Sequence, residues 1–192
     1  RQVGELAHRR GLKFHIDGAR IFNAAVALGI DAKELVADAD SVTFCLSKGL
    51  ACPAGSIVCG DADFIAEARR NRKVLGGAMR QVGILAAPGI VALNEMIERL
   101  AEDHDNAKRL AFGLADIPGL VLNPESVQTN IVFFNVDKDG ITATQLVQRL
   151  DAEGVKVGAT GERRVRAVTH YGITSADVDQ ALLTIQKVIS EI

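Results

Sequence analysis

A lysine and an aspartate each follow the end of an apolar segment, where a side chain could take part in chemistry. The segment TFCL (43–46) runs directly into Ser47-Lys48-Gly49, and LKFHI (12–16) runs into Asp17-Gly18. In α/β proteins the carboxyl ends of the strands share one edge of the sheet, and ligands bind there. An amine and a carboxylate presented at that edge could hold one planar ligand from two sides.

The two residue types favour one particular chemistry. A lysine amine that has lost its proton condenses reversibly with an aldehyde. An aspartate can keep the nitrogen of a pyridine ring protonated, and pyridoxal phosphate (PLP) enzymes use this combination. Each residue also has an ordinary interpretation, because exposed lysines are common at strand ends and Asp-Gly is typical of turns. The pair therefore indicates a PLP site, and both interpretations stay open at this point.

The remaining pattern predicts an α/β protein in which strands alternate with helices. Apolar spacing predicts helices over 1–10, 19–29, 31–35, 61–75, 80–103, 105–115, 142–153 and 175–190. Strands are predicted over 12–16, 41–46, 55–60, 129–136 and 165–170. Because the pattern becomes an α+β arrangement after Pro118, we predict two domains, residues 1–100 and 101–192.

Composition excludes several other functions. Hydrophobic residues make up 48% and charged residues 24%, values typical of a soluble globular protein. A net charge of −2 gives no basic face for nucleic acid, and no apolar run is long enough to span a membrane. We therefore expect a cytoplasmic protein without nucleic-acid or membrane partners. The sequence begins at Arg1 with no initiator methionine, and no capping residue precedes its first predicted helix. We therefore also predict that the chain is the later part of a longer protein.

Cysteines and histidines show no metal-binding pattern. Cys45, Cys52 and Cys59 are odd in number and match no zinc spacing, so we predict small packed side chains rather than ligands or disulfides. The four histidines have no ligand spacing, and His104 lies among acidic residues that predict a solvated joint between helices. The sequence therefore predicts no metal site.

Four blocks of sequence resemble the threonine aldolase family of fold-type I PLP-dependent enzymes. They occur in the order typical of the family and at plausible spacings. The blocks are HIDGARIFNA (15–24), CLSKGLACPAGS (45–56), RKVLGGAMRQVGILAAPGIVAL (72–93) and VRAVTH (165–170). The resemblance implies a transferase-like α/β fold. Residues 1–100 would be the C-terminal part of the PLP-binding large domain, and residues 101–192 the small C-terminal domain.

The resemblance also implies roles for individual residues. Lys48 resembles the lysine that binds PLP covalently, and Asp17 the partner of the pyridine nitrogen. Arg20 would bind the substrate or the polar edge of the cofactor. Arg166 resembles the arginine that takes the α-carboxylate of the substrate, which a planar guanidinium can bind with two hydrogen bonds.

Two further basic residues imply an oligomer. Lys73 and Arg80 resemble residues that reach the cofactor phosphate of a neighbouring subunit, and Gly76-Gly77 between them would let the chain pass close to it. The implied assembly is a homo-oligomer with shared active sites, a tetramer built as a dimer of dimers.

The implied activity is cleavage of β-hydroxy-α-amino acids such as threonine to glycine and an aldehyde. A β-eliminating lyase, an amino-acid racemase, or a catalytically incomplete fragment that only binds a partner are the alternatives. In the family, the phosphate loop and the histidine that stacks on the ring lie upstream of the blocks found here. One departure concerns the segment after the lysine, where Gly49-Leu50-Ala51-Cys52-Pro53 replaces the usual Gly-Leu-Gly-Ala-Pro.

Overall fold

The first of two compact units contains a three-stranded sheet. The computed structural model describes residues 1–192, which divide into units of residues 1–100 and 101–192. The strands of the first unit are β1 (His15–Asp17), β2 (Ser41–Cys45) and β3 (Ser56–Gly60), in that order across the sheet. Its helices are α1 (Gln2–Arg9), α2 (Ile21–Leu28), α3 (Ala32–Leu35), α4 (Ala62–Val74) and α5 (Gly83–Glu95).

The two kinds of strand pairing in this sheet follow from the lengths of the connections. β1 and β2 are parallel, and α2 and α3 lie in the crossover between them. β3 is antiparallel to β2 and returns after a turn that contains Pro53. The carboxyl ends of β1 and β2 therefore lie at one edge of the sheet, as parallel strands require.

The second unit has a four-stranded antiparallel sheet in the order β4-β5-β7-β6. Its strands are β4 (Leu120–Val121), β5 (Ile131–Val136), β6 (Gly158–Ala159) and β7 (Arg164–Val168), and its helices are α6 (Leu100–Ala115), α7 (Ala143–Ala152) and α8 (Ser175–Ser190). Inward-facing residues of β5 and β7 meet the helices in one apolar core, in which Phe134, Leu146 and Ile185 are fully buried. The opposite face of the sheet carries Phe133 and Arg164, with the guanidinium carbon 4.1 Å from the ring centroid.

Two expectations from the sequence are wrong here. A helix was expected to continue to residue 103, but α5 ends at Glu95 and α6 begins at Leu100. No glycine or proline marks this break, so the sequence carried no stop signal. His104 is buried within α6 rather than solvated, and burial lowers the pKa of its imidazole. The adjacent acidic residues resembled a helix start, although Asp103 is itself fully buried.

The cysteines differ in their surroundings. Cys52 is buried, and burial raises the pKa of its thiol, which disfavours the reactive thiolate. Cys45 is half-buried. Cys59 was expected in the core but is exposed, because every residue of β3 is exposed. None of the helices is both long and apolar enough to cross a membrane.

The carboxylate of Asp40 connects α1 to the segment before β1 through hydrogen bonds. Asp40 accepts hydrogen bonds from Lys13 Nζ (2.8 Å) and from the backbone N–H of Phe14 (2.7 Å), and it bonds His8 Nε2 at 2.9 Å. The bond from Lys13, followed by those from Phe14 and His8, holds the pKa of the Asp40 carboxyl well below its ordinary value. The ionised carboxylate therefore stabilises this unit.

This carboxylate predicts a pH dependence of stability. Because folding depresses the pKa of Asp40, its contribution is fully present above the ordinary carboxyl pKa of about 3.9 and is lost as the pH falls further. We expect Asp40→Asn to lower the free energy of unfolding at neutral pH, and the difference from wild type to shrink below about pH 4. Denaturant titrations of both proteins at several pH values measure this difference in the free energy of unfolding. A difference that stays constant down to pH 2 would contradict a stabilising role of the ionised Asp40 carboxylate.

Candidate active site

The structure brings Asp17 and Lys48 to the same edge of one sheet. Asp17 is the last residue of β1 and pairs in register with Thr43 of β2. β2 ends at Cys45, and Lys48 lies three residues further along in the loop that follows. Both side chains are exposed. The acid and the amine therefore lie beyond the carboxyl ends of two adjacent parallel strands, where the sequence predicted a ligand site.

The carboxylate of Asp17 keeps one oxygen available. Oδ1 accepts a hydrogen bond from the backbone N–H of Ala19 (3.2 Å), whereas Oδ2 accepts none from residues 1–192. Gly18 is explained by close packing rather than by a left-handed turn. Its N–H donates to the carbonyl of Thr43 (2.7 Å), and a Cβ there would lie only 2.9 Å from that oxygen. The aspartate is thus held against β2 with a free acceptor.

A row of polar side chains lies on the face of the sheet that carries Asp17. His15 and Asp17 share one side of β1, because side chains alternate along a strand. A hydrogen bond joins His15 Nδ1 to Ser41 Oγ (2.8 Å), and His15 Nε2 lies 3.5 Å from Thr43 Oγ1. From the sequence alone, His15 could face either the site or the core. Its position two residues before Asp17 was the signal that could have placed it on this face.

The Lys48 loop is anchored on both sides while the amine itself stays unbound. Leu46 and Leu50 are almost fully buried in an apolar cluster with Cys52 and Ala92. The carbonyl of Lys48 accepts a hydrogen bond from the N–H of Ala51 (2.9 Å). Nζ of Lys48 forms no hydrogen bond or ion pair with any part of residues 1–192. The backbone of the loop is fixed in this way, and the amine of Lys48 has no internal partner that a ligand would have to displace.

Backbone strain marks two positions close to the predicted site residues. Ala51 (φ 58°) and Gln81 (φ 53°) are the non-glycine residues of the chain with positive φ. This conformation costs an L-residue roughly 1–2 kcal/mol, and such strain is concentrated at functional sites. Ala51 lies three residues after Lys48, and Gln81 directly follows Arg80. Ala51 also occupies the position where the threonine aldolase pattern has glycine.

The strain at Ala51 predicts a stabilising substitution. Ala51→Gly removes the Cβ clash but adds freedom to the unfolded chain, so we expect a net gain of about 0.5–1 kcal/mol in the free energy of unfolding. Ala66→Gly, at an exposed position within α4, is the matched control and should lose about 1 kcal/mol. Denaturant unfolding of the two variants measures both. A loss of stability in Ala51→Gly equal to that of the control would refute the strain.

The two predicted substrate arginines lie in different units. Arg20 is half-buried and precedes α2 as its N-cap residue. Arg166 is exposed on β7, on the face of the sheet opposite the core, in register with Phe133 and Gly158. His170, which ends the VRAVTH block, is exposed, and its Nδ1 forms a hydrogen bond with the carbonyl of Tyr171 (2.9 Å).

Lys73 and Arg80 lie on either side of a turn, and neither forms a hydrogen bond or ion pair with Asp17 or Lys48. Lys73 is in the last turn of α4, and Arg80 is in the turn before α5; both are exposed. Gly76 (φ 79°) and Gly77 end the helix. The N–H of Gly77 donates to the carbonyl of Arg72 (2.8 Å), and that of Gly76 to the carbonyl of Lys73 (3.2 Å). A helix end of this type favours glycine at the first of the two positions, so Gly76 has a structural reason.

Comparison with known proteins identifies the family. The family model described as beta-eliminating lyase matches residues 1–137. The chain belongs to the beta-eliminating lyase family. It is 45% identical over 194 residues to low-specificity L-threonine aldolase 1 of Arabidopsis thaliana, a match that covers 97% of the chain. It is 43% identical over 174 residues to the low-specificity L-threonine aldolase of Escherichia coli K12, covering 91% of the chain. The resemblance to threonine aldolases is thereby confirmed.

Solved structures confirm the fold class of this beta-eliminating lyase family member. A Listeria monocytogenes protein provisionally assigned as an L-allo-threonine aldolase superposes with a TM-score of 0.79 at 22% identity, over 99% of the chain and 55% of that protein. A ureidoglycine-glyoxylate aminotransferase from Bacillus subtilis gives 0.70 at 16% identity, over 99% and 56%. The α/β fold-type I architecture is thus confirmed. The chain spans about half the length of its relatives, 54% of the Arabidopsis protein and 50% of the Escherichia coli protein.

Proposed function

We propose that the full-length protein is a PLP-dependent aldolase that cleaves β-hydroxy-α-amino acids to glycine and an aldehyde, with threonine as the default substrate. The observation that carries the proposal is the placement of Asp17 and Lys48 beyond the ends of two adjacent parallel strands. The surrounding sequence is 43–46% identical to proteins named L-threonine aldolases.

The residues present fit the cofactor. A pyridoxal group needs an amine for its aldehyde and an anionic acceptor for its ring nitrogen. Lys48 offers an amine with no partner in residues 1–192, and Asp17 offers an unoccupied carboxylate oxygen. When bound, PLP accepts the electron pair of a bond that breaks at the α-carbon of the substrate.

Each residue of the chain has a separate task in the proposed reaction. Nζ of Lys48 would hold the aldehyde of PLP, for which the amine must have lost its proton. The carboxylate of Asp17 holds a proton on the ring nitrogen, and Gly18 keeps that carboxylate close to β2. The hydrogen bonds of His15 with Ser41 and Thr43 lie on the face of the sheet that carries Asp17, and they begin at the first residues of β1 and β2.

Binding of the substrate carboxylate selects the bond that breaks. We propose that Arg166 binds the α-carboxylate with two parallel hydrogen bonds and that Arg20 assists it. Fixing the carboxylate would set the rotation about the α-carbon, and this rotation would decide which bond of that carbon PLP could weaken. The arginines therefore favour cleavage between the α- and β-carbons without touching the breaking bond.

The proposal extends to assembly and location. Residues 1–100 are proposed as part of the PLP-binding large domain, and residues 101–192 as the small C-terminal domain. Lys73 and Arg80, both exposed and without internal partners, are proposed to contact the cofactor phosphate of a neighbouring subunit in a cytoplasmic homotetramer. Size measurement by light scattering tests this assembly, and a monomer would exclude shared sites.

Product analysis tests the proposed reaction. The full-length protein is incubated with PLP and L-threonine, and the products are separated and quantified. We expect glycine and acetaldehyde in equal amounts. Failure to form glycine from a protein that has bound PLP would overturn the aldolase proposal.

The family description favours one second candidate, a β-eliminating lyase. Elimination would give ammonia and a 2-oxo acid, whereas aldol cleavage gives neither. The same reaction mixture therefore separates the two activities. A racemase would instead leave the amino acid intact and convert its configuration.

A further inference from the structure

A buried asparagine lies on the apolar face of α2. The buried residues of this helix are Ile21, Asn23 and Ala25, and Asn23 is only 2% exposed. Burying an amide costs free energy that a methyl or methylene group would not cost. Buried amides in proteins are hydrogen-bonded, so a buried asparagine is also a fixed contact for its neighbours.

The amide of Asn23 lies directly against the backbone of Gly49. A Cβ placed on Gly49 would lie 2.8 Å from Asn23 Oδ1 and 2.9 Å from Leu100 Cδ2. The backbone of Gly49 is thus pressed directly against the amide of Asn23, with no room for a side chain. Since Gly49 follows Lys48 in the chain, this contact lies one residue from the predicted cofactor lysine.

We propose that Asn23 is a positioning residue that sets the position of the Lys48 amine through the backbone of Gly49. The inference rests on the proposed function, because it assigns Asn23 to the same PLP site. Leu46 and Leu50, on either side of Lys48, are buried in the apolar cluster. Between them, the Asn23 amide packs against the backbone of Gly49. Asn23 also lies six residues after Asp17, in the segment that leads from β1 into α2. One short segment therefore carries the acid and fixes the loop that carries the amine.

The test measures the rate at which PLP becomes attached to Lys48 in the full-length protein. The visible absorption of the bound cofactor is used to monitor this rate. Because a displacement of about 1 Å can cost as much as a hundredfold in rate, we expect Asn23→Ala to slow attachment about ten- to a hundredfold. Asn106→Ala is the matched control. Asn106 is also buried, but its side chain donates to the carbonyl of Ile173 in the second unit. We expect the control to change the rate by less than about twofold.

A second variant approaches the same contact from the other side. Gly49→Ala inserts a Cβ against Asn23 and should slow attachment as well. In an Asn23→Ala background the shortened side chain leaves room, so Gly49→Ala should cost less there than in wild type. Additive effects in this double-mutant cycle would overturn the inference. The cycle uses rates of the folded protein, so it holds even where both variants lose stability.

The outcomes separate this inference from the proposed function. Absence of the absorption band in wild type, with Lys48 present, would contradict the PLP site itself. A normal band in wild type with an unchanged rate in Asn23→Ala would overturn the role of Asn23 alone. A slowed rate in Asn23→Ala with an unchanged control supports the positioning role.

Discussion

Replacing Lys48 with alanine is expected to lower the rate of threonine cleavage by the full-length protein on the order of 10³-fold or more. The lysine amine is the proposed point of covalent attachment for PLP, and no other group at this edge of the sheet can condense with an aldehyde. The same substitution should abolish the visible absorption band. Assays of glycine formation and absorption spectra of protein mixed with PLP measure the two effects.

A second lysine provides the control for this prediction. Lys33 lies exposed on α3 in the same unit and carries the same charge. Lys33→Ala should keep both the absorption band and the rate of glycine formation. Equal losses in Lys33→Ala and Lys48→Ala would show a general effect of charge or folding. Full activity in Lys48→Ala would refute the attachment site.

Asp17→Asn is expected to lower the rate of threonine cleavage by about 10²- to 10³-fold. Asparagine has nearly the same shape but no charge, so it cannot hold a proton on the ring nitrogen of PLP. Asp17 is exposed in the chain alone, but bound PLP would cover its carboxylate. Removing one partner of a buried ion pair costs about 3–5 kcal/mol, and each 1.36 kcal/mol in a barrier corresponds to about tenfold in rate. The substitution should retain cofactor attachment at Lys48, because the aldehyde end of PLP is unaffected.

The control for Asp17→Asn is an exposed aspartate elsewhere in the unit. Asp63 lies in the first turn of α4, and Asp63→Asn should leave the rate of glycine formation unchanged. Steady-state assays of both variants with saturating PLP give the comparison. A rate for Asp17→Asn within a few fold of wild type would mean that the carboxylate does not face the ring nitrogen.

The placement of Asp17 and Lys48 could be predicted from sequence because strand ends are local features. Each residue directly follows an apolar segment, and a helical crossover between two such segments predicts parallel strands. The separate contact of His15 with Ser41 could not be predicted in this way. The two residues lie 26 positions apart, and only the register of β1 against β2 brings them together.

The sequence alone also could not explain why two positions of the site are glycine. Gly18 and Gly49 were part of the recognised blocks, but the reason for each is a tertiary contact. A Cβ on Gly18 would approach the backbone of β2, and one on Gly49 would approach Asn23. Neither glycine adopts a positive φ, so local turn preferences carried no information about them. The role proposed for Asn23 therefore required coordinates.

The predicted boundaries of helices and strands were wrong where the local sequence signal was weak or misleading. The break between α5 and α6 contains no glycine or proline, and apolar spacing continues across it. The short strands β4 and β6 have two residues each, too few for a period of alternation to show. The longer strand β5 was predicted because five of its six residues are aliphatic or aromatic, types that are common in strands.

Identification of the residue that binds PLP tests the central claim most directly. The full-length protein is mixed with PLP, reduced with borohydride to make the attachment permanent, digested, and examined by mass spectrometry. We predict a modified peptide in which Lys48 carries the cofactor and cleavage after Lys48 is blocked. Modification of a different lysine, such as Lys73, or recovery of unmodified Lys48 from protein that retains PLP, would contradict the account.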